Sequence, residues 1–497
     1  MLQCTDVKPA IRTGNRFLAF FLCSLLLSGS SYSQGQEPRD WLTWGGNPAR
    51  SGWVKGGNGI STGNVAGLQL KWTARIEEEV PIGIESGASM LTAPLVVSGV
   101  DTGKGSRNLV FVLSFKNTLA ALDAETGETV WRQAFKNKVE PAREASWTCT
   151  NTPTATPVID KASGTIYFLT GDGALHGVSI RNGEDKIPPT DFVPPFSRNW
   201  SLNLVDGILY TTVGRGCGSG ASPRERVAAH MAAMDLNDPA RPVTRLYTST
   251  GRPAGVWGRG GVAWGPKGLY GQTADGPWNP ENNQWGQSLL SLAPGSLEIQ
   301  DYFTPRNLDL INELDLDFGS GGPLAFSFEN RELVAAAGKD GTVYLLDANS
   351  LGGPDHRTPL FELKIGNDAN MYASAGVWGA MATARPADNG PWLYVPLWGP
   401  VSRGISNLKY AHGLAPDGSI MAFKVALEKE KPVLVPVWVS RNLSTPDPPL
   451  VVNDVVFAIS TGENTIQRHT DPRYLQIYQR GGEPLSTRGI LTAEERG

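Results

Sequence analysis

The chain has few of the residues that staple or metallate small domains: four cysteines and five histidines in 497 residues. Cys4 and Cys23 lie near the N-terminus, which leaves Cys149 and Cys217. Two cysteines make no disulfide framework; they either pair in an oxidising compartment or stay as buried thiols. No CxxC or CxxCH occurs, which removes a zinc ribbon and a covalently attached haem from consideration. His176, His230, His356, His412 and His469 show no metal spacing such as HExxH, and no Gly-x-Ser-x-Gly elbow supports a hydrolase. The net charge is −4 without a basic cluster, so the electrostatic footprint of a nucleic-acid binder is missing. Beyond residue 33 no apolar stretch is long enough to cross a membrane.

What the chain does have is glycine (58), proline (36) and tryptophan (15). That composition belongs to many short strands and tight turns, not to helical bundles. The N-terminus has the layout of a secretory signal over residues 1–33. Lys8, Arg12 and Arg16 precede an apolar run at residues 17–27, and Ser31-Tyr32-Ser33 is an acceptable cleavage site. The expectation is an exported, periplasmic or secreted product with no transmembrane segment in the mature chain. The alternative is an uncleaved anchor.

The remaining residues repeat. An apolar strand, a polar or glycine turn, a second apolar strand and then often an Asp recur along the chain. The clearest copy runs over residues 109–127 and is followed by Trp131; further copies lie at 166–180 and 333–347. The copies end at Asp123, Ile180, Asp235, Leu292, Asp347, Phe423 and near Tyr478, 55–57 residues apart except for one interval of 76. The long interval contains an inserted loop at residues 398–418. Strand residues with Asp-Gly and Lys-Asp-Gly turns at this period read as blades of a β-propeller. A parallel β-helix has a shorter period, and a sandwich would not repeat so regularly.

Gly127 and Trp131 after Leu-Asp-Ala resemble the pyrroloquinoline-quinone (PQQ) repeat, in which an outer-strand tryptophan packs on the neighbouring blade. The segment Asp40-Trp-Leu-Thr-Trp-Gly-Gly-Asn-Pro-Ala-Arg-Ser-Gly52 resembles that family's N-terminal lead-in. The resemblance runs from about Asp40 to Arg480. It is nearest to the quinoprotein alcohol and polyvinyl-alcohol dehydrogenases. It implies an all-β, seven- or eight-bladed propeller, with a lead-in at residues 34–75 and blades over 76–497. After the seventh repeat only a short polar tail remains, so the last blade is expected to be incomplete.

Three stretches resemble the dehydrogenases beyond the generic blade. Gly255-Val-Trp-Gly-Arg-Gly-Gly-Val-Ala-Trp264 and Leu269-Tyr-Gly-Gln-Thr-Ala-Asp-Gly-Pro-Trp-Asn279 are similar to the strand bearing the tryptophan under the quinone and the loop bearing a metal-binding Asn. The resemblance implies that Trp257 is the stacking floor; the bland reading is a core tryptophan. Ala274 stands where the family has Asn, and Asp275 beside it is the substitute Ca²⁺ ligand. Glu313-Leu-Asp-Leu-Asp-Phe-Gly-Ser-Gly-Gly-Pro323 is similar to the acidic segment that carries the family's general base. Asp317 is the candidate base and Asp315 the second; alternation would put residues 313, 315 and 317 on one side of an extended strand. A solvated turn is the alternative. In Gly338-Lys-Asp-Gly341, Lys339 takes the position of the family's cation near the quinone carbonyls, but the same tetrapeptide is an ordinary hairpin turn. Glu225 is the nearest acidic residue to the family's third-repeat metal ligand, and it matches poorly. The family's adjacent-cysteine disulfide is absent.

The glycine-rich run at residues 214–221 follows a strand and has Asp235 beyond it, but it lies in the β-repeat array and not in a βαβ unit, which argues against a dinucleotide site. Two functions follow from the resemblance. One is a PQQ- and Ca²⁺-dependent oxidoreductase that oxidises an alcohol or polyol and passes electrons to an external acceptor. The other is a non-catalytic propeller acting as a protein-interaction scaffold.

Overall fold

The computed structural model describes residues 40–56, 59–77, 92–141, 150–216, 218, 227–250, 254–372, 374–385, 390–406, 408–461 and 492–494. The signal-like segment, Cys149, Cys217, Glu225 and Tyr478 lie outside these residues.

Among the described residues seven blade sheets, antiparallel but for two short parallel pairs, follow one another along the chain, with one separate two-stranded hairpin. Blades 1 to 6 span residues 95–134, 158–191, 197–247, 263–303, 324–364 and 376–439. Each begins with its innermost strand and steps outward. Blade 7 is assembled differently. Trp53–Val54, from the lead-in, pairs in parallel with Leu450–Val452, which is followed by Val455–Ala458 and Thr492–Glu494. The expected incomplete last blade is thus corrected: the seventh sheet has four strands because the lead-in supplies one, and the ring counts seven blades. The expected repeat ends fall where the third strands do: Thr118–Asp123, Ala174–Ser179, His230–Asp235, Leu289–Leu292, Thr342–Asp347 and Gly418–Glu428.

The strand period of two explains how each blade serves two cores. Successive side chains point to opposite faces of a sheet. In blade 3, Leu209, Val213, Ala232 and Met234 pack toward blade 2, while Tyr210, Met231 and Ala233 pack toward blade 4. Six apolar clusters of this kind join consecutive blades from 1–2 through 6–7. The outer strands are half-exposed and carry the polar residues. Trp131, on the outer strand of blade 1, donates its indole N–H to Ile180 O (3.1 Å) and lies against Gly183 of blade 2. Gly183 has φ +76°, and a Cβ there would sit 2.8 Å from the indole, so only glycine fits. Trp72 docks in the same way on Gly127 of blade 1, donating to Ala124 O (3.0 Å).

Among the described residues no apolar cluster joins blade 7 to blade 1; there the lead-in does the joining. Trp41 bridges to Val96 of blade 1, Leu42 O accepts from Ile159 of blade 2 (2.8 Å), and Pro48 O from Trp264 of blade 4 (2.8 Å). Ser51 O accepts from Thr383 of blade 6 and Gly52 O from Val451 of blade 7, both at 2.8 Å. At the middle of this path Arg50 is 2% exposed. Its guanidinium donates to Val262 O (3.0 Å), Thr43 Oγ1 (2.7 Å), Trp44 O (2.9 Å), Ser201 O (3.2 Å) and Leu202 O (3.1 Å). Burial lowers its pKa to about 9, still above neutrality, so all its donors are present at pH 7.

Replacing Arg50 by Met removes five hydrogen bonds at once; Leu202 O keeps the Thr43 hydroxyl and Val262 O keeps the Asn203 amide, while the other acceptors lose this donor, at about 1–3 kcal/mol for each one left unpaired. The expected outcome is a loss of about 3 kcal/mol or more in urea-induced unfolding, with Arg50→Lys intermediate because an ammonium cannot span the same set of acceptors. An unchanged midpoint in Arg50→Met would show that the lead-in is not a structural pin.

Candidate functional site

Within each blade the strands alternate in direction, so the connection entering the inner strand and the turn between the second and third strands lie at the same end. Trp257 precedes the inner strand of blade 4, Ala263–Gly265. Asp275 lies in the long excursion between Gly268–Gln272 and Leu289–Leu292 of the same blade. Asp315 and Asp317 precede the inner strand of blade 5, Leu324–Phe328, and Lys339 occupies the turn between Arg331–Ala337 and Thr342–Asp347. The topology therefore carries all five to one end of the ring.

Four of them touch. Carboxylate oxygens of Asp275, Asp315 and Asp317 all lie within 4.8 Å of one another. Lys339 Nζ is 2.5 Å from Asp317 Oδ2 and 3.9 Å from Asp315 Oδ1, and it donates to Asp315 O at 3.3 Å. The other Asp317 oxygen, Oδ1, accepts the Asp275 backbone N–H at 3.1 Å. The Lys339 and Asp317 side chains are each 7% exposed, whereas that of Asp315 is 48% exposed and forms the solvent side of the cluster.

The expected extended strand through residues 313–317 is corrected. Leu308–Glu313 is a short α-helix, and Asp315 follows it with φ +52°, a left-handed turn that Asp tolerates better than most residues. That turn, and not a two-residue period, swings Asp315 and Asp317 to one place; Glu313 is exposed and takes no part. Gly338 makes the final approach possible, since a Cβ there would lie 2.6 Å from Phe318 Cα.

Burial raises the Asp275 pKa to about 7, with the charges of Asp317 and then Asp315 adding to the effect and Lys339 opposing it. Burial acts against the Lys339 ammonium, but Asp317 and Asp315 outweigh it and hold its pKa above the ordinary lysine value. Three carboxylates facing one ammonium leave a surplus of negative charge among oxygen donors. That donor set fits a hard cation such as Ca²⁺.

The loop that carries Trp257 meets the acid-bearing segments through its backbone. Gly255 O accepts from Ala274 N (2.7 Å), and a Cβ on Gly258 would lie 3.0 Å from Gly322, so the loop abuts both acid-bearing segments. The half-buried Trp257 indole lies edge-on to Trp200 (6.4 Å between ring centres), with the Arg198 guanidinium 6.0 Å from its centre. Ala274 itself is fully buried, and the carboxylate beside it that joins the cluster is that of Asp275. Lys339 is both a hairpin residue and a buried cation.

The sequence reading missed the aromatic wall of the site. Lys339 Nζ lies 4.6 Å from the ring centre of Trp378 and 5.2 Å from that of Tyr372. Trp378 stacks on Trp398 (4.8 Å, 6° between planes) and donates to Ala375 O at 2.9 Å. A signal was present: the pentapeptide at residues 254–258, Ala-Gly-Val-Trp-Gly, recurs unchanged at 375–379. Each copy brings its tryptophan beside a buried cation, Arg198 in one case and Lys339 in the other.

A carboxyl whose pKa is higher folded than unfolded contributes stability at low pH that is lost as the pH rises through the folded value. For Asp275 that window extends from the ordinary carboxylate range up to about 7. The chelator-treated protein should therefore lose thermal stability between about pH 5 and pH 8, and Asp275→Asn should flatten that loss. An equal slope in both proteins would mean that Asp275 is not held protonated by its neighbours.

The profile of the glucose/ethanol/alcohol dehydrogenase β-propeller domain (PQQ) matches residues 41–204. The dehydrogenase subunit of the quinone-type alcohol dehydrogenase of Komagataeibacter europaeus is 22% identical, over 66% of this chain and 49% of the relative. The chain thus spans about half the length of that curated relative. Among solved structures, a europium-containing methanol dehydrogenase aligns over 85% of this chain and 84% of its own, with 16% identity and a TM-score of 0.54. The quinohemoprotein alcohol dehydrogenase of Comamonas testosteroni aligns over 86% and 70%, with 14% identity and a TM-score of 0.51. The chain is thus a seven-bladed β-propeller that matches the PQQ β-propeller profile over residues 41–204 and shares its fold with the solved alcohol dehydrogenases.

Proposed function

We propose that the chain is an exported PQQ-dependent oxidoreductase that removes a hydride from an alcohol or polyol and hands the electrons to an external acceptor. The observation that carries this reading is the contact of three carboxylates with one buried lysine at the end of the ring where Trp257 also stands. The relatives are alcohol dehydrogenases by name, which supports an alcohol as substrate class. The signal-like N-terminus supports export.

In this reading Asp275 and Asp315 hold the cation, and Asp317 is the general base. Bound Ca²⁺ would polarise a quinone carbonyl, and bound PQQ would accept the hydride. The three carboxylates suit a cation of higher charge as well, and one structural neighbour is named for europium. Asp317 must be ionised to take the hydroxyl proton, and its two carboxylate oxygens are held by the Lys339 ammonium and by the Asp275 N–H. Lys339 in turn supplies positive charge where negative charge develops during reduction. Trp257 offers an indole face to a flat anionic ring. Trp378 and Tyr372 wall the lysine and keep water from it, which strengthens its pairing.

Saturable quenching of tryptophan fluorescence by PQQ, dependent on Ca²⁺ and weakened in Trp257→Ala, is the expected result of a titration. Asp317→Asn should still bind PQQ but lose turnover with alcohols by at least about 100-fold. Quenching that does not saturate in a folded sample, or full turnover in Asp317→Asn, would overturn the reading and favour the scaffold.

A further inference from the structure

Two amide side chains flank the acid cluster without belonging to it. Gln287 is fully buried and has φ +52°, a conformation that glutamine rarely adopts. Its backbone N–H donates to Ala274 O (2.8 Å), the residue before Asp275. Its side-chain Oε1 accepts from Phe318 N (2.8 Å), the residue after Asp317. Its Nε2 donates to Asn312 Oδ1 (3.0 Å). Asn312 in turn holds both polar groups of Gly276, the residue after Asp275: Oδ1 accepts from Gly276 N and Nδ2 donates to Gly276 O, each at 3.2 Å. The peptide before Asp275, the one after it and the one after Asp317 are thus joined through one pair of amides. Gln272, also fully buried, grips Phe318 from the other side, donating its Nε2 to Phe318 O and, at 2.9 Å, to Ala337 O.

We propose that Gln287 and Asn312 are positioning residues that set the separation of Asp275 and Asp317, and through it the affinity of the cluster for its cation. The two carboxylates repel and their segments come from different blades, so the one bond from Asp275 N to Asp317 Oδ1 needs bracing from outside the two acids. An ordinary apolar residue at 287 would leave Phe318 N–H without an acceptor in a buried place. The amide of Asn312 accepts from Gly276 N and donates to Gly276 O at once, which a carboxylate or an apolar side chain cannot do. The proposal rests on the cation-binding reading of the cluster given above.

The test is Tb³⁺ luminescence titration with Ca²⁺ competition on three chains: parent, Asn312→Ala and Asn312→Asp. Thermal unfolding of each serves as the control for folding. Asn312→Ala removes every brace contact of that side chain and should weaken Tb³⁺ about 10- to 100-fold, the usual size of a change behind a metal ligand. Asn312→Asp keeps the acceptor for Gly276 N and Gln287 Nε2 and should bind within about threefold of the parent, or more tightly. Gln287→Met should behave as Asn312→Ala does. Binding by Asn312→Ala within about twofold of the parent overturns the proposal, as does equal weakening in Asn312→Ala and Asn312→Asp. A parent that takes no Tb³⁺ refutes the cation reading, and the brace is then decided by a crystal structure of Asn312→Ala. Survival of the 3.1 Å bond from Asp275 N to Asp317 Oδ1 there overturns it, and loss of that bond supports it.

Discussion

A ring of sheets closes only if its first and last members are held together, and here that constraint falls on the lead-in, which Arg50 fixes in place. The six apolar clusters run from blade 1 to blade 7 in chain order, and the lead-in supplies the remaining link. A segment of fewer than twenty residues touches the inner strands of blades 1, 2, 4, 6 and 7 through its backbone. Arg50 adds bonds to Ser201 and Leu202 of blade 3 and to Val262 before blade 4. Arginine suits this place for a physical reason. A path past several inner strands meets carbonyl oxygens pointing inward with no partner strand, and one guanidinium brings five donors in a fixed fork. A charge buried without a carboxylate is tolerable only when its donors are filled in this way.

The functional end of the ring obeys the opposite balance. At the lead-in one cation is surrounded by neutral acceptors; at the site one cation is outnumbered by carboxylates. Lys339 compensates Asp317 and, more weakly, Asp315, while Asp275 answers the excess by taking up a proton more readily. The cluster is therefore strained as it stands and relaxes when either a proton or a cation arrives. An arrangement selected for stability alone would have no reason to gather a third carboxylate, since replacing buried charges by apolar groups commonly stabilises a fold. That argument separates the cluster from a solvated surface turn, as does the burial of Asp317 and Lys339.

The sequence displayed the fold well and the site unevenly. The repeat ends at Asp123, Asp235, Leu292 and Asp347 coincide with strand ends because hydrophobic periodicity and turn residues act locally. Asp275, Asp315, Asp317 and Lys339 were singled out because their segments resemble those of the quinoprotein dehydrogenases, and the structure brings the four together. How Asp315 and Asp317 meet was not: the left-handed Asp315 replaces the expected strand, and such a backbone angle leaves little trace in residue type. Gln287, Asn312 and Tyr372 act across blade boundaries, and contacts between distant segments have no local pattern at all. Trp378 is the exception, since its repeated pentapeptide was visible and went unused. The lead-in was read as separate from the blades because a strand of two residues, Trp53–Val54, carries no periodic signal.

Why the site sits at blade 5 follows from the lengths of corresponding turns. Between second and third strands, blades 1, 2 and 5 have tight turns at residues 114–117, 170–173 and 338–341. Blade 4 has the excursion from 273 to 288 with its own hairpin, Trp278–Asn279 and Gln284–Trp285, and blade 6 has the insertion from 399 to 417. The short Lys339 turn thus lies in a notch between two long neighbours. One neighbour contributes Asp275 and Gln287; blade 6 contributes the Trp398 that backs Trp378. A repeated scaffold makes all its turns equivalent at first, and only differences in their length can raise walls around one of them.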